Sequence, residues 1–498
     1  MPHPLDAAAA QPAVPQSIDA SVRAHPLDAG LSRAPARVDT IPIDSSAPGQ
    51  PPADAGALPE DLAEVEPDAS SALGATMATR DSAYLFEPSQ LRTFELFLHH
   101  ADLATLDADP TAEKYVPGQL VFEGGLIPNV GIRYKGSTGA FLGCVSGGLF
   151  PPSGAKTCVK LGIKVKLDFG AKNTRFFGQK KLQFHAMNLD RSLLRERFAY
   201  GLFNESGVAA PRTMHVRLLI NGKLVGVFLL VEVIEEPFMQ DRFDDHGAGN
   251  LYKEVWPISG EQAPYLTALE ATGTKPAHAA KIAAFASEVA VADDTSLPDV
   301  LARWVDLDHM ASYVAVDRAI RHDDGPFHWY CGDTVTSDGW RMQRSYAGER
   351  CGNHNYFWYE EALRNRLWIV PWDLDTSIPV GQGLTGIVSR WDDLNPDCSM
   401  LLPAALGPQM PITCDPLQRA LALSLRQRVS AKLGALIAGP LSEERLDATL
   451  TPWISQLEPA VAEAHRAHDS EQDVETWTAQ VQSLREALRT LREAAAAL

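Results

Sequence analysis

The first 83 residues contain no phenylalanine, tryptophan or tyrosine; Tyr84 is the first aromatic of the 498-residue chain. Residues 1–80 are instead rich in Ala, Pro, Asp and Ser. Such a segment cannot bury enough apolar surface to offset its ordering entropy, and a disordered leader is expected. Positive charge is also scarce. Lys and Arg number 44 against 63 Asp and Glu, a formal net charge of −19. Neutralising a phosphate backbone needs a basic surface, so no general nucleic-acid partner is expected, nor a role on anionic membranes. No run of about 18 apolar residues occurs, so no membrane span is expected. The start, Met1-Pro2-His3-Pro4, lacks the basic and apolar regions of an export signal. No Cys-x-x-Cys pair is present, which argues against zinc.

Six cysteines are present: Cys144, Cys158, Cys331, Cys351, Cys398 and Cys414. They fall into three sequence-local pairs, each bracketing a stretch rich in Gly, Pro, Ser or Asp. That clustering predicts three loop-stapling disulfides and an oxidising compartment, outside the cell or at its surface. Apolar residues make up 45% of the chain, enough for a sizeable core.

From Tyr84 onward the pattern becomes structural. Leu91–Leu98 reads as a strand or a short helix. Residues 118–142 read as two strands around a glycine turn. Val159–Phe169 alternates lysine with apolar residues, the period of a half-buried strand. Asp190 is the expected N-cap of a helix carrying Leu193, Leu194, Phe198, Leu202 and Phe203. Met214–Ile234 is a hairpin around Asn221-Gly222. Residues 262–320 read mostly as helix, clearest over Leu301–Ile320. His354–Tyr359 and Leu367–Val370 read as two strands. After about residue 415 the chain reads as helix, with Val481, Leu484, Leu488 and Leu491 on one face. The order predicts an α+β fold with a β-rich N-lobe, an α-helical C-lobe and a ligand cleft between them.

Three segments carry the residue types that phosphoryl transfer requires, namely a cation for phosphates, oxygen ligands for Mg²⁺ and a carboxylate near the attacking hydroxyl. The first is the lysine strand, where Lys160, Lys164 and Lys166 share one face with Gly162. Lysines on an edge strand also serve to prevent edge-to-edge pairing. The second is the hairpin Arg133-Tyr134-Lys135-Gly136-Ser137-Thr138-Gly139, whose cations and small residues suit phosphate but also suit a plain turn. The third is the series Asp317, Asp323, Asp324, Asn355, Asp373 and Asp375. Hard divalent cations take such oxygens, although Asp and Asn also favour turns for backbone reasons. Glu196 is placed to pair with Lys164, or is a solvated residue between Arg195 and Arg197. Glu232 ends the second hairpin strand at a possible hinge.

Together the segments VGIRYKGSTGAF, FFGQKKLQFHAMNLDRSLLRERFAYGLFNESGVAAPRT, VRLLINGKLVGVFLLVE, GNLYKEVWP, AVDRAIRHDDGPFH, HNYFWYE and LWIVPWDLD resemble the CotH kinase-like family, named for a spore-coat protein. The resemblance runs from about residue 118 to 376 in family order. It implies an atypical, reduced protein-kinase fold that binds ATP with Mg²⁺ or Mn²⁺ and acts on a protein substrate. By it Lys164, with Lys166 as alternative, resembles the phosphate-binding lysine, and Asp324 the catalytic aspartate. Asn355, Asp373 and Asp375 resemble the metal ligands. Lys135, Glu196 and Glu232 complete the residues expected at the nucleotide site. The expected organisation is a kinase-like domain over 81–440, divided near 255, and a helical extension over 441–498. Two functions follow: a kinase for Ser/Thr of a secreted or surface protein, or a non-catalytic coat component.

Overall fold

The computed structural model describes residues 81–148, 151–273, 275–332, 343–380, 391, 393–404 and 407–496. The leader expected over 1–80 lies outside the described residues, as does the middle of the stretch between Asp324 and Asn355. Helices of at least eight residues are labelled below.

Seven strands close into a barrel: β1 (Arg92–Phe97), β2 (Val116–Phe122), β3 (Gly125–Tyr134), β4 (Ile163–Lys166), β5 (Lys181–His185), β6 (Thr213–Ile220) and β7 (Lys223–Val231). The order is β1-β2-β3-β4-β5-β7-β6, and a parallel pairing of β1 with β6 shuts the ring. Closure leaves no unpaired sheet edge. The Lys-rich segment is therefore an interior strand of the ring, paired with β3 on one side and β5 on the other. Inward residues such as Phe94, Leu96, Ile132, Ile163, Val165, Leu182, Phe184 and Phe228 fill the barrel as one buried cluster. The alternate residues point outward. On β7 these are Val227, Leu229 and Val231, which join the second and largest core.

Asn221 and Gly222 both have positive φ, 49° and 76°. Those values suit the mirror-image turn that follows the twist of two antiparallel strands. α1 (His100–Ala108) packs against the barrel beside β2. α2 (Arg195–Glu205) starts five residues after Asp190. The Asp190 carboxylate accepts from the amides of Ser192 and Arg195, and Leu193 takes φ 65°, so the chain makes one turn before it coils.

The second core gathers α2, α3 (Ala280–Val291), α4 (Leu297–Trp304), α5 (Leu307–Ile320), α6 (Pro416–Ala438), α7 (Glu443–Ala467) and α8 (Val474–Ala496). The helical span expected over 301–320 is broken between Trp304 and Leu307, where Asp306 caps α5 by accepting from the amides of Asp308 and His309. A sheet of order β14-β13-β8-β9 lies beside these helices, with β8 (Asn250–Lys253), β9 (Leu269–Thr272), β13 (Tyr356–Glu360) and β14 (Leu367–Pro371). β9 falls where helix was expected. A smaller sheet holds β10 (Trp329–Cys331), β11 (Arg344–Tyr346), β12 (Glu349–Gly352) and β15 (Gln409–Met410). The architecture is α+β. Among the described residues no helix is long and apolar enough to cross a membrane.

All three expected disulfides are present. Cys144–Cys158, Cys331–Cys351 and Cys398–Cys414 have Cα separations of 4.6, 4.1 and 5.7 Å, inside the reach of about 7 Å that a bridge requires.

Candidate functional site

The outer face of β3, β4 and β5 is cationic. Arg133 stands opposite Lys164, and Lys164 opposite Gln183, across the antiparallel ladder. Lys135 extends β3 by donating its amide to the Gly162 carbonyl at 2.8 Å. A Cβ at position 162 would lie 2.9 Å from the Lys135 carbonyl oxygen, so only glycine lets the two segments approach this closely. Lys164 is half-buried. Burial, and then the charges of Lys135, Lys181 and Arg133, lower its pKa to about 8 despite Glu235. Lys166 lies two residues along the same face, 3.9 Å from Asp168. Lys160 turns away and meets Glu471 at 3.1 Å.

α2 connects this face to a carboxylate group. Glu196 in its first turn is buried, and its oxygens lie 2.8 and 3.0 Å from Nδ1 of His185 on β5. Nε2 of His185 lies 2.6 Å from the Lys135 Nζ. One helical turn after Glu196, the Tyr200 hydroxyl accepts from the Asp373 amide at 3.0 Å. Ligand atoms of His185, Glu196 and Asp373 all lie within 4.8 Å of one another.

The β13–β14 hairpin delivers the remaining groups. Tyr356 pairs with Pro371, so Asn355 and Trp372–Asp373 leave the sheet side by side. Asn355 and Asp373 have φ 61° and 51°, left-handed conformations that Asn and Asp tolerate better than most residues. Asp375 follows on a short 3₁₀ turn. Asp324 comes from the turn after α5, and its Oδ2 accepts from the Asn355 side-chain amide at 2.9 Å. Glu254 contacts this corner, 3.1 Å from His354 and 3.4 Å from the Asn355 amide.

Each of these groups feels its neighbours. Burial raises the Glu196 carboxyl, and the Asp373 charge adds to that, while Lys135 opposes it. Burial also raises Asp375, with Asp373, Glu196 and Asp324 acting in the same direction. Asp324 is raised to about 6, again first by burial. Lys135 is lowered by burial, against the attraction of Asp373, Glu196 and Asp375. His185 is lowered well below its ordinary value by burial and by Lys135, so it is neutral. Buried carboxylates this close resist ionising together, and a divalent cation would relieve that repulsion. Two oxygens are also left over. Asp324 Oδ1 and Asn355 Oδ1 are buried without a hydrogen-bond partner among the described residues. Hard oxygens with spare lone pairs beside crowded carboxylates are the donor set that Mg²⁺ or Mn²⁺ takes.

A family model described as CotH kinase protein matches residues 132–494. The chain belongs to the CotH kinase family. No curated protein matches it in sequence. The CotH match runs through every segment of the site and on through the three C-terminal helices.

In this CotH chain, Lys135, Glu196, Asp324, Asn355 and Asp373 are linked by the contacts above, Asp375 joins them through its charge interactions with Asp373, Glu196 and Asp324, and Lys164 lies on the cationic side. Other sequence candidates are engaged elsewhere. The Glu232 carboxylate is buried between Arg212 and Arg242, and the Lys166 ammonium faces Asp168. Asp317, close in sequence to Asp324, faces His322 at 3.3 Å. A Cβ at Gly325 would lie 2.6 Å from the His322 ring and 3.0 Å from the Asp317 carboxylate, so glycine is needed there. His185, Tyr200, Glu254 and His354 were not visible as site residues in the sequence. The one available signal was parity, since the polar Lys181, Gln183 and His185 alternate with the apolar Leu182 and Phe184.

Proposed function

We propose that the protein is an atypical protein kinase that transfers the γ-phosphoryl group of ATP to Ser or Thr of a secreted or surface protein, with Mg²⁺ or Mn²⁺. One observation carries this reading: a cationic barrel face meets a group of crowded carboxylates in which Asp324 Oδ1 and Asn355 Oδ1 lack hydrogen-bond partners among the described residues. A triphosphate needs cations on one side and a metal on the other. Lys164, in a field of like charge from Lys135, Lys181 and Arg133, gains most from an anion, and Lys135 offers a second ammonium. Asp373, Asp375 and Asn355 would hold the metal, which supplies charge neutralisation on the phosphates. Asp324 orients the acceptor hydroxyl and accepts its proton, and a carboxyl raised to about 6 is a stronger base than an ordinary aspartate. The three disulfides support placement in an oxidising compartment.

The test is incubation of the purified chain with ATP, Mg²⁺ or Mn²⁺ and casein as a generic acceptor, followed by mass spectrometry of both proteins. Added phosphate on Ser or Thr supports the kinase. Metal-dependent ATP binding without transfer or hydrolysis would support the non-catalytic coat component, and hydrolysis alone a phosphohydrolase.

A further inference from the structure

We propose that His185 is a positioning residue that holds the Lys135 ammonium toward the nucleotide phosphates, standing between lysine and glutamate where a direct ion pair would be expected. This rests on the nucleotide reading above and adds the device that orients one of its phosphate-binding groups.

With Lys135 as an ammonium and Glu196 as a carboxylate, the contacts set the direction of each hydrogen bond. An ammonium has three donors and no acceptor, so at 2.6 Å the Lys135 Nζ donates to Nε2 of His185. Nε2 therefore carries no proton, and Nδ1–H donates to the Glu196 carboxylate at 2.8 Å. The imidazole is neutral, in one tautomer, and both of its nitrogens are occupied. Glu196 is 1% exposed and His185 7% exposed, so water cannot readily replace either contact. Trp372 closes the side. Its ring meets the His185 ring edge-on with centroids 5.9 Å apart, and the Lys135 Nζ stands 5.3 Å from its centroid. Trp372 directly precedes Asp373, so the same residue sets the lysine against the proposed metal side.

The proximity of His185, Glu196 and Asp373 within 4.8 Å also resembles a metal site. The ring nitrogens argue against it, because one is already held by an ammonium and the other by Glu196. A direct Lys–Glu pair would neutralise the lysine charge. A neutral imidazole in between leaves the ammonium positive and two of its protons free for phosphate oxygens, while Glu196 fixes the ring. Glutamine at 185 can reproduce an acceptor for lysine and a donor for glutamate, whereas leucine fills the space and offers neither.

The experiment measures ATP, ADP and AMP affinities, with Mg²⁺ or Mn²⁺, for wild type, H185L and H185Q. H185L should lose roughly tenfold in ATP and ADP affinity, the effect of one charge-assisted hydrogen bond, with AMP affinity changed far less. H185Q should recover most of the loss. Equal loss for all three nucleotides, or no loss in H185L, overturns the positioning role while leaving the nucleotide reading intact. Absence of ATP binding by the wild type overturns the nucleotide reading and this proposal with it. If H185L fails to fold, H185N replaces it, since its shorter side chain cannot span both partners; affinities equal to wild type then overturn the proposal.

Discussion

At the scale of single residues, the site is a set of groups that hold one another in unfavourable charge states, and two substitutions separate their roles. Asp324→Asn keeps the hydrogen-bonding shape beside Asn355 but cannot accept a proton. ATP affinity should change little, and phosphoryl transfer should fall by about 10²–10⁴-fold, the range for loss of general base catalysis. Single-turnover transfer measured beside equilibrium binding checks this, and parallel losses in both would move Asp324 out of the base role. Glu254 gives a pH signature. Burial works against its charge, yet the charge and hydrogen bond of His354, with Lys253, bring its pKa from 4.5 down to about 2. A depressed carboxylate stabilises the fold above its unfolded pKa and loses that contribution as pH falls through the folded value. Glu254→Gln should therefore cost about 3 kcal/mol at pH 5 and progressively less towards pH 2. Urea midpoints of both proteins across that range would show a constant difference if the pairing were inconsequential. Much of this corner was legible only in part. Strand parity placed Lys164 and Gly162 on one face, and a strand exit placed Asp373 and Asp375 together. Glu254, Tyr200 and His185 could not be read as neighbours, because their proximity depends on how the barrel face meets α2 and the β13–β14 hairpin.

At the scale of elements, the chain uses short connections and covalent staples to fix what propensity leaves loose. The hairpin at Asn221-Gly222, the β13–β14 pair and the C-terminal helices followed directly from turn chemistry and periodicity. The late start of α2 did not. Asp190 does cap, but it caps a turn whose left-handed Leu193 delays the helix to Arg195, and spacing alone does not reveal a positive φ at leucine. The strand at β9 was hidden for a different reason, since Leu269–Thr272 takes its order from pairing with β8 rather than from its own pattern. Cys331–Cys351 joins residues directly opposite on β10 and β12. Tyr330 beside it donates to the Asp323 carbonyl, and β12 leads into His354 and Asn355. Replacing both cysteines by alanine should cost about 3 kcal/mol, as expected for a loop of roughly this size. A denaturation midpoint unchanged from wild type would show that the strand pairing alone holds this corner.

At the scale of the whole molecule, two cores meet across β7, whose Phe228 and Leu230 face the barrel interior and whose Val227, Leu229 and Val231 face the helices. α7 and α8 belong to the second core. Trp477, Val481, Leu484 and Leu488 are buried there, and the Trp477 indole donates to the Ser192 carbonyl just before α2. Helices read from sequence as an extension beyond residue 440 thus support the element that carries Glu196. A chain ending at residue 440 should fail to melt cooperatively, because losing several buried aliphatic and aromatic side chains exceeds typical domain stability. A sharp thermal transition in that truncated chain would show α7 and α8 to be dispensable. The central claim is that barrel cations and hairpin carboxylates form one nucleotide–metal site. Calorimetric titration of ATP into wild type and Asp373→Ala, each with and without Mg²⁺ or Mn²⁺, tests it most directly. The account predicts binding to wild type only when metal is present, and loss of that binding in the variant. No binding to wild type, or equal metal-dependent affinity in Asp373→Ala, would contradict it.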